Sequence, residues 1–533
     1  MNNPKGIGAP EAYKMQLNRQ GAKTPRKYST CILGVLASWR FNFSLLLLAG
    51  LAGCEVGPNY HRPATTMPGS YSTIAAAAAT QPQVDAQQPA ALIEWWRGFN
   101  DPQLDSLIVR AEQYNLDLKT AEQRIVQARA QRGIAFASLL PSVTGTGNYS
   151  RSFTGSSAST TIVNSNGKSQ TVNLVAPAQD FFQAGFDSSW EIDVFGGIRR
   201  GVEAADAELA ATVEDRRDVL ITLLSDVAMD YVALRGYQQQ IVIAQQNLDA
   251  QKRTEAVTKR RQIGGVAAGL DVANAEAEVA TTAAQIPVLQ AEEHQTIYAL
   301  SVLLGQTPTY LEGELSTAKA IPTSPPSVPI GLPADLLRRR PDIREAEENL
   351  HVATANIGVA VAQLFPQFSL TGAFGEQGDR FGLLGNWADR FWSYGPTVTV
   401  PIFEGGRLRA QVAVQNSLQQ QAVLQYRKTV LTAMQDVQNA LVSLTTEQAH
   451  RSALTDAVVA NQRAVLYSNT LYRQGLSDFL NVLDAERSLY ASQAAFVQSD
   501  EAVSADVVAL YKALGGGWED NPGSPDTRPA IEE

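Results

Sequence analysis

The sequence predicts an α+β membrane protein: strands that close with copies of themselves into a β-barrel, continuing into a long α-helical coiled-coil barrel, with two internal structural repeats per chain. Three observations predict it. The chain repeats itself, it holds segments that alternate polar and apolar residues with period two, and its longest segments carry apolar residues at strict sevens. Alternation over about ten residues, with one aromatic face and one polar face, fits a water-filled membrane barrel. Sustained heptads imply left-handed coiled-coil packing.

From the N-terminus, the first distinctive stretch is 41–52 (FNFSLLLLAGLA). It is too short to span a membrane, which takes about 20 apolar residues. Lys23, Arg26, Lys27 and Arg40 precede it, and Leu51-Ala52-Gly53-Cys54 closes it. A positive region, an apolar region and small residues in that order form an export signal, so 1–53 is read as an N-terminal extension and signal peptide. Leu-Ala-Gly-Cys also resembles the lipobox of bacterial lipoproteins, which implies Cys54 as the lipid attachment site and first mature residue, with Glu55 next.

The remainder is written twice. Residues 115–147 align without a gap on 340–372 at a shift of 225, with 12 of 33 positions identical, including Asp117/Asp342, Gly133/Gly358 and Pro141/Pro366. Further on the shift settles at 210, pairing Asp226-Val227 with Asp436-Val437 and Ala275-Glu276 with Ala485-Glu486. Two copies of this length make a pseudo-twofold protomer, where a solenoid would need more and shorter units. The first repeat occupies 54–320, a Pro-rich linker 321–333 (IPTSPPSVPIGLP), the second repeat 334–518 and a tail 519–533.

Each repeat reads helix, strand pair, then two long helices. In the strand pair of 142–195, Val143, Gly145, Gly147 and Tyr149 alternate with Ser142, Thr144, Thr146 and Asn148. Later Ala184, Phe186, Trp190 and Ile192 alternate with Gln183, Asp187, Ser189 and Glu191. In 366–404, Phe368, Leu370 and Phe374 alternate with Gln367, Ser369 and Thr371, and Val398, Val400 and Ile402 with Thr397 and Thr399. The connectors are a Ser/Thr/Asn/Gly-rich segment, 154–176, and 375–394. The long helices fall in 198–304 and 405–514. Val213, Leu220, Val227, Leu234, Ile241 and Leu248 recur at seven, as do Val423, Val430, Val437 and Leu444, and the return helices repeat the pattern from Val272 and Val482. About 65 helical residues at about 1.5 Å each make a rod of roughly 100 Å. Pro287 should kink or break the first return helix, because it lacks a donor and its ring clashes with the preceding turn.

Composition excludes several functions. With 43 Lys plus Arg against 53 Asp plus Glu the formal charge is −10, which gives no reason to expect a nucleic-acid partner. His61, His294, His351 and His450 are scattered, and Cys31 and Cys54 are the only cysteines, so no metal site or disulfide framework is written locally. No nucleophile and base constellation points to catalysis. Gly167-Lys168-Ser169 and 264–269 (GGVAAG) fail the spacing of phosphate-binding loops and read as turns. The chain is therefore expected to be no enzyme and to need no cofactor. A barrel enzyme lacks its catalytic groups here, and a lipidated coiled-coil scaffold without a pore leaves the alternating strands unexplained. A four-stranded sheet has two raw edges, which cannot stand in lipid where no water satisfies the amides. Two chains would give eight strands and a filled interior, whereas three give about twelve and room for an aqueous bore.

The two-copy layout, the lipobox, 400–406 (VPIFEGG), 426–441 (YRKTVLTAMQDVQNAL), Asp484-Ala485-Glu486 and 510–518 (LYKALGGGW) together resemble the TolC family of outer-membrane efflux ducts, in its lipidated OprM/NodT-like branch that serves resistance-nodulation-division pumps. The similarity runs from Cys54 to Trp518. It implies a homotrimer in the outer membrane, anchored by lipid, with twelve strands, a large periplasmic helical barrel and an equatorial collar that includes 321–333. The function implied is a passive exit duct for drugs or other small molecules, partnered by a periplasmic adaptor protein and an inner-membrane efflux transporter. A duct for type I protein secretion is the alternative within the same family. Residue by residue, the resemblance makes Leu480 and Asp484 an apolar ring and a carboxylate ring of the periplasmic gate. They are four apart, hence on one helix face. It makes Tyr472 a tie to the neighbouring helix pair, with Asp271 as its acidic partner. It makes Gly265, Gly475, Leu476 and Ser477 adaptor-contact tips. Ser477 stands where TolC has the arginine of its lock, Asn481 replaces an aspartate, and Asn274 is the repeat counterpart of Asp484.

Overall fold

The computed structural model describes residues 55–65, 67–69, 71, 92–153, 155, 157–175, 178–325, 328 and 333–518. The expected signal region, Cys54 and the tail lie outside the described residues. Helix α1 (Pro102–Tyr114) leads into α2 (Leu116–Ala137), then β1 (Ser142–Ser152), β2 (Ser157–Val163), β3 (Ser169–Val175) and β4 (Gln179–Ile192). The long helices α3 (Gly197–Ile263) and α4 (Gly269–Leu303) complete the first repeat. The second runs through α5 (Pro341–Ala362), β5 (Gln367–Gly378), β6 (Arg390–Thr399), α6 (Arg407–Arg473) and α7 (Phe479–Leu514). One-turn helices at Glu312–Leu315 and Leu336–Arg339 lie in the connection.

The shift of 210 carries through the helices. Both α3 and α6 are 67 residues long, and each opens on a glycine cap in the left-handed region, Gly196 (φ 77°) and Gly406 (φ 87°). Such a cap costs glycine nothing and costs any other residue strain. The apolar heptad positions are buried or half-buried, with Val227, Leu234, Val430, Val437, Val482 and Leu510 fully buried, and the pattern breaks at the exposed Arg451. Pro287 does not break α4, which is continuous from Gly269 to Leu303. The proline sits on an exposed face, so water can reach the carbonyl one turn back that it deprives of a donor.

The four main strands form one antiparallel sheet in the order β1-β4-β5-β6. Its register separates two chemistries. Rows such as Gly145–Phe186–Phe374–Trp392 and Trp190–Leu370–Pro396 lie on one face, and Ser142–Ser189–Thr371–Gly395 and Thr144–Asp187–Ala373–Ser393 on the other. Phe391 is an exception on the polar face, and the facing glycines Gly185 and Gly375 make room for its ring. Phe186, Phe374, Trp392 and Tyr394 are exposed in the single chain. β1 and β6 each pair on one side only. Two expectations need correction. Segment 154–176 is more than a connector, since β2 and β3 pair as their own hairpin, turned at Gly167 (φ 71°). And β6 stops at Thr399, so Val400 and Ile402 lie beyond the ladder: Pro401 has no amide to donate.

The main apolar core lies halfway along α3 and α6 and at the C-terminal ends of α4 and α7. Trp95, Trp96, Phe99 and α1 pack there with Leu224, Val227 and Tyr231 of α3, Tyr426, Val430 and Val437 of α6, and Val507 to Leu514 of α7. Trp518 closes this level, donating to the carbonyl of Arg339 at 2.9 Å with the Arg217 guanidinium 4.5 Å from its ring. At the junction of sheet and helices, Arg200 is 2% exposed and gathers the segment after Cys54, reaching Asn59 Oδ1 at 2.5 Å and the Val56 carbonyl at 3.4 Å.

Candidate functional site at the paired helix tips

A second, smaller apolar cluster joins the far ends of the helices: Ala275 of α4, Tyr472 of α6, and Phe479, Val482 and Leu483 of α7, with Val257 of α3 against it. The two turns that connect the helices are built alike. In one, Gly265 (φ 71°) lets Val266 N–H reach the Arg261 carbonyl at 2.9 Å. In the other, Gly475 (φ 75°) lets Leu476 N–H reach the Leu471 carbonyl at 2.9 Å. This is the glycine-terminated helix end that satisfies the last carbonyls, and it needs φ above zero at that one position. Leu476 is exposed beyond the turn, and Ser477 Oγ accepts from Asn481 Nδ2 at 3.0 Å.

Leu480 and Asp484 are both exposed, Leu480 at 59%, while Phe479, Val482, Leu483 and Glu486 on the other side of α7 are buried. The two residues therefore share a free helix face one turn apart. Tyr472 is buried, and its hydroxyl has no hydrogen-bond partner in the described chain. Within the described chain Asp271 makes no hydrogen bond to that hydroxyl. The aspartate occupies the third position of α4, where its Oδ2 accepts from Ala268 N–H at 3.2 Å and so satisfies an orphan amide of the helix start.

Several residues at this end escape sequence reasoning. Glu486 is buried, accepting from Thr254 Oγ1 of α3 at 2.8 Å and Asn469 Nδ2 of α6 at 3.5 Å. Burial pushes its carboxyl above the usual range, and those two hydrogen bonds pull it back. Its repeat counterpart Glu276 instead meets Lys259 at 2.8 Å on the surface. Arg487 pairs with Glu278 across α7 and α4 at 2.8 Å. Arg261, in the last turn of α3, donates Nη1 to the Tyr472 carbonyl at 2.5 Å, and its guanidinium carbon lies 4.4 Å from the Tyr472 ring centroid. The Ala-Glu repeat was the one available signal for Glu486; nothing in the sequence singles out Arg261.

Among the described residues no group of side chains is arranged to hold a metal ion, and no helix is long and apolar enough to cross a membrane.

The chain matches the family model described as outer membrane efflux protein over residues 107–306 and 332–516, one segment in each repeat. It is 33% identical over 478 residues to nodulation protein T of Rhizobium leguminosarum bv. trifolii, covering 89% of this chain and 96% of that protein. It is 34% identical over 427 residues to the pyoverdine export outer membrane protein OpmQ of Pseudomonas aeruginosa, covering 80% and 88%. The solved structure of the outer-membrane channel OprN matches with a TM-score of 0.77 at 34% identity, covering 87% of this chain and 100% of that one.

Proposed function

The chain belongs to the outer membrane efflux protein family, and on that premise we propose that three copies close their sheets into a twelve-stranded barrel whose bore continues through the long helices. It is an outer-membrane channel of an efflux pump and not an enzyme. One observation supports the trimeric reading above the others: a four-stranded sheet with opposite chemistries on its two faces and unpaired β1 and β6 edges. Open edges are too costly in hydrocarbon, and three sheets are the smallest number that leave an aqueous bore.

In this reading Cys54 carries a lipid, and the anchor adds attachment without contributing to strand closure. The inner-membrane transporter of the pump supplies the energy, and a periplasmic adaptor meets the tips at Gly265, Gly475, Leu476 and Ser477. Leu480 and Asp484 face the bore. Three leucines brought together exclude water, and three carboxylates one turn away repel one another and attract cations. Tyr472 holds α6 and α7 in place, with Asp271 of the first repeat at the same level. Native mass spectrometry of the detergent-solubilised protein tests the assembly. One dominant species at three times the mature mass is expected, and a stable monomer would refute closure because it leaves the sheet edges unpaired.

A further inference from the structure

We propose that Arg261 is the latch of the tip, holding α6 and α7 against α3 when the channel is shut; this rests on Leu480 and Asp484 being the gate. Arg261 stands two residues from the end of α3 and crosses to the end of α6. Its Nη1 donates to the Tyr472 carbonyl at 2.5 Å and to the Arg473 carbonyl at 3.4 Å. Those carbonyls belong to the last turn of α6, the negative end of the helix, where a cation is favoured. The same guanidinium lies over the Tyr472 ring, and its Nη2 faces Gly475, at 4.0 Å from where a Cβ would stand. One side chain from the first repeat thus contacts the ring and the final carbonyls of α6 beside the turn of the second.

The route from Arg261 to the gate face is short. The Tyr472 ring centroid is 5.6 Å from that of Phe479, and Leu480 follows Phe479 in α7. Tyr472 also packs on Val257 and Ala275, but apolar contacts are non-directional and let helices slide. A forked donor stacked on an aromatic ring defines one register, and a lysine does not reproduce it. For α6 and α7 to move away from α3, the stack and the carbonyl bonds must break together. The contact is also incompletely satisfied: Arg261 Nε and the Tyr472 hydroxyl are buried without hydrogen-bond partners in the described chain. Such a contact is easier to release than a saturated network.

Single-channel recording of the full-length protein in planar bilayers tests the latch, with native mass spectrometry confirming an unchanged trimer. Arg261→Ala is expected to raise time-averaged basal conductance about tenfold, the order that losing a stacked, partly desolvated guanidinium gives. Arg261→Lys should fall between Arg261→Ala and the parent. Tyr472→Leu should act like Arg261→Ala, and the double variant should exceed neither single, because both remove one contact. Leu480→Ala, measured alongside, reports on the gate itself. If Leu480→Ala conducts more and Arg261→Ala does not, the latch is wrong and the gate stands. If neither conducts more, the gate assignment is wrong and the latch falls with it. Should Arg261→Ala fail to assemble, parental conductance in both Arg261→Lys and Tyr472→Leu would overturn the proposal.

Discussion

At the residue scale, side chains near the tip divide by what each can do. Leu480 and Asp484 are exposed and one turn apart, Tyr472 is buried, and Asp271 is occupied with the start of its own helix. Asp484→Ala should therefore weaken channel block by multivalent cations while leaving trimer yield unchanged, since the residue is exposed in its own chain. Unchanged block in single-channel recordings would move Asp484 to the outer wall. Tyr472→Phe should leave basal conductance at the parental level, in contrast to Tyr472→Leu, because the hydroxyl makes no bond and deleting an unsatisfied buried group costs little. Leu480 and Asp484 could be picked out through the resemblance to the TolC family, their spacing of four placing them on one helix face. Arg261 and Glu486 could not. Arg261 meets Tyr472 from 211 residues away and Glu486 meets Thr254 from 232, and that register is set by tertiary packing.

At the element scale, period and repetition made most of the fold legible. The 210-residue shift relates both ends of α3 to those of α6, and the apolar heptad positions are buried or half-buried, with Arg451 as an exposed break in α6. The failures came where a local rule met a tertiary setting. Of the kink or break expected at Pro287 the break does not occur, since the residue lies on a wet face of α4, and the β2–β3 hairpin is a short polar pairing with too little alternation to announce itself. The segment after Cys54 was equally silent, because the side chains that hold it, Arg200 of α3 and Glu347 of α5, come from distant helices. The Arg200 side chain also donates to Glu203 at 2.6 Å and lies 3.5 Å from Glu55, with Gly57 (φ 95°) set close against Gly358 of α5. Arg200→Ala should free residues 55–62 and make them a preferred site of limited proteolysis, located by mass spectrometry of the fragments. Equal protease resistance in the variant would mean that the segment's other contacts hold it, namely the Val56 amide on the Phe195 carbonyl and Tyr60 and Arg62 on Glu347.

At the scale of the whole molecule, the sheet decides how the chain meets a membrane. Its register puts Phe186, Phe374 and Trp392 side by side on one face and Ser142, Ser189 and Thr371 on the other. In the proposed trimer the first set faces lipid and the second lines the bore. Phe374 and Thr371 lie on the same inner strand of the sheet, three residues apart and on opposite faces, so the same charge placed at each tests the assignment directly. Phe374→Lys should cost about 2–4 kcal/mol if it falls near the bilayer midplane and less toward either interface. Its expected signature is a loss of assembled trimer from outer-membrane fractions. Thr371→Lys should assemble at the parental yield, because an ammonium in an aqueous bore stays hydrated, and it should shift ion selectivity toward anions in planar bilayers. Were the sheet one half of a soluble sandwich with its aromatic face against protein, Phe374→Lys would still be harmful but Thr371→Lys would leave conductance untouched. Were the faces reversed, Thr371→Lys would be the variant that fails to assemble. Trimer yield and reversal potential for this pair of variants thus separate the three arrangements.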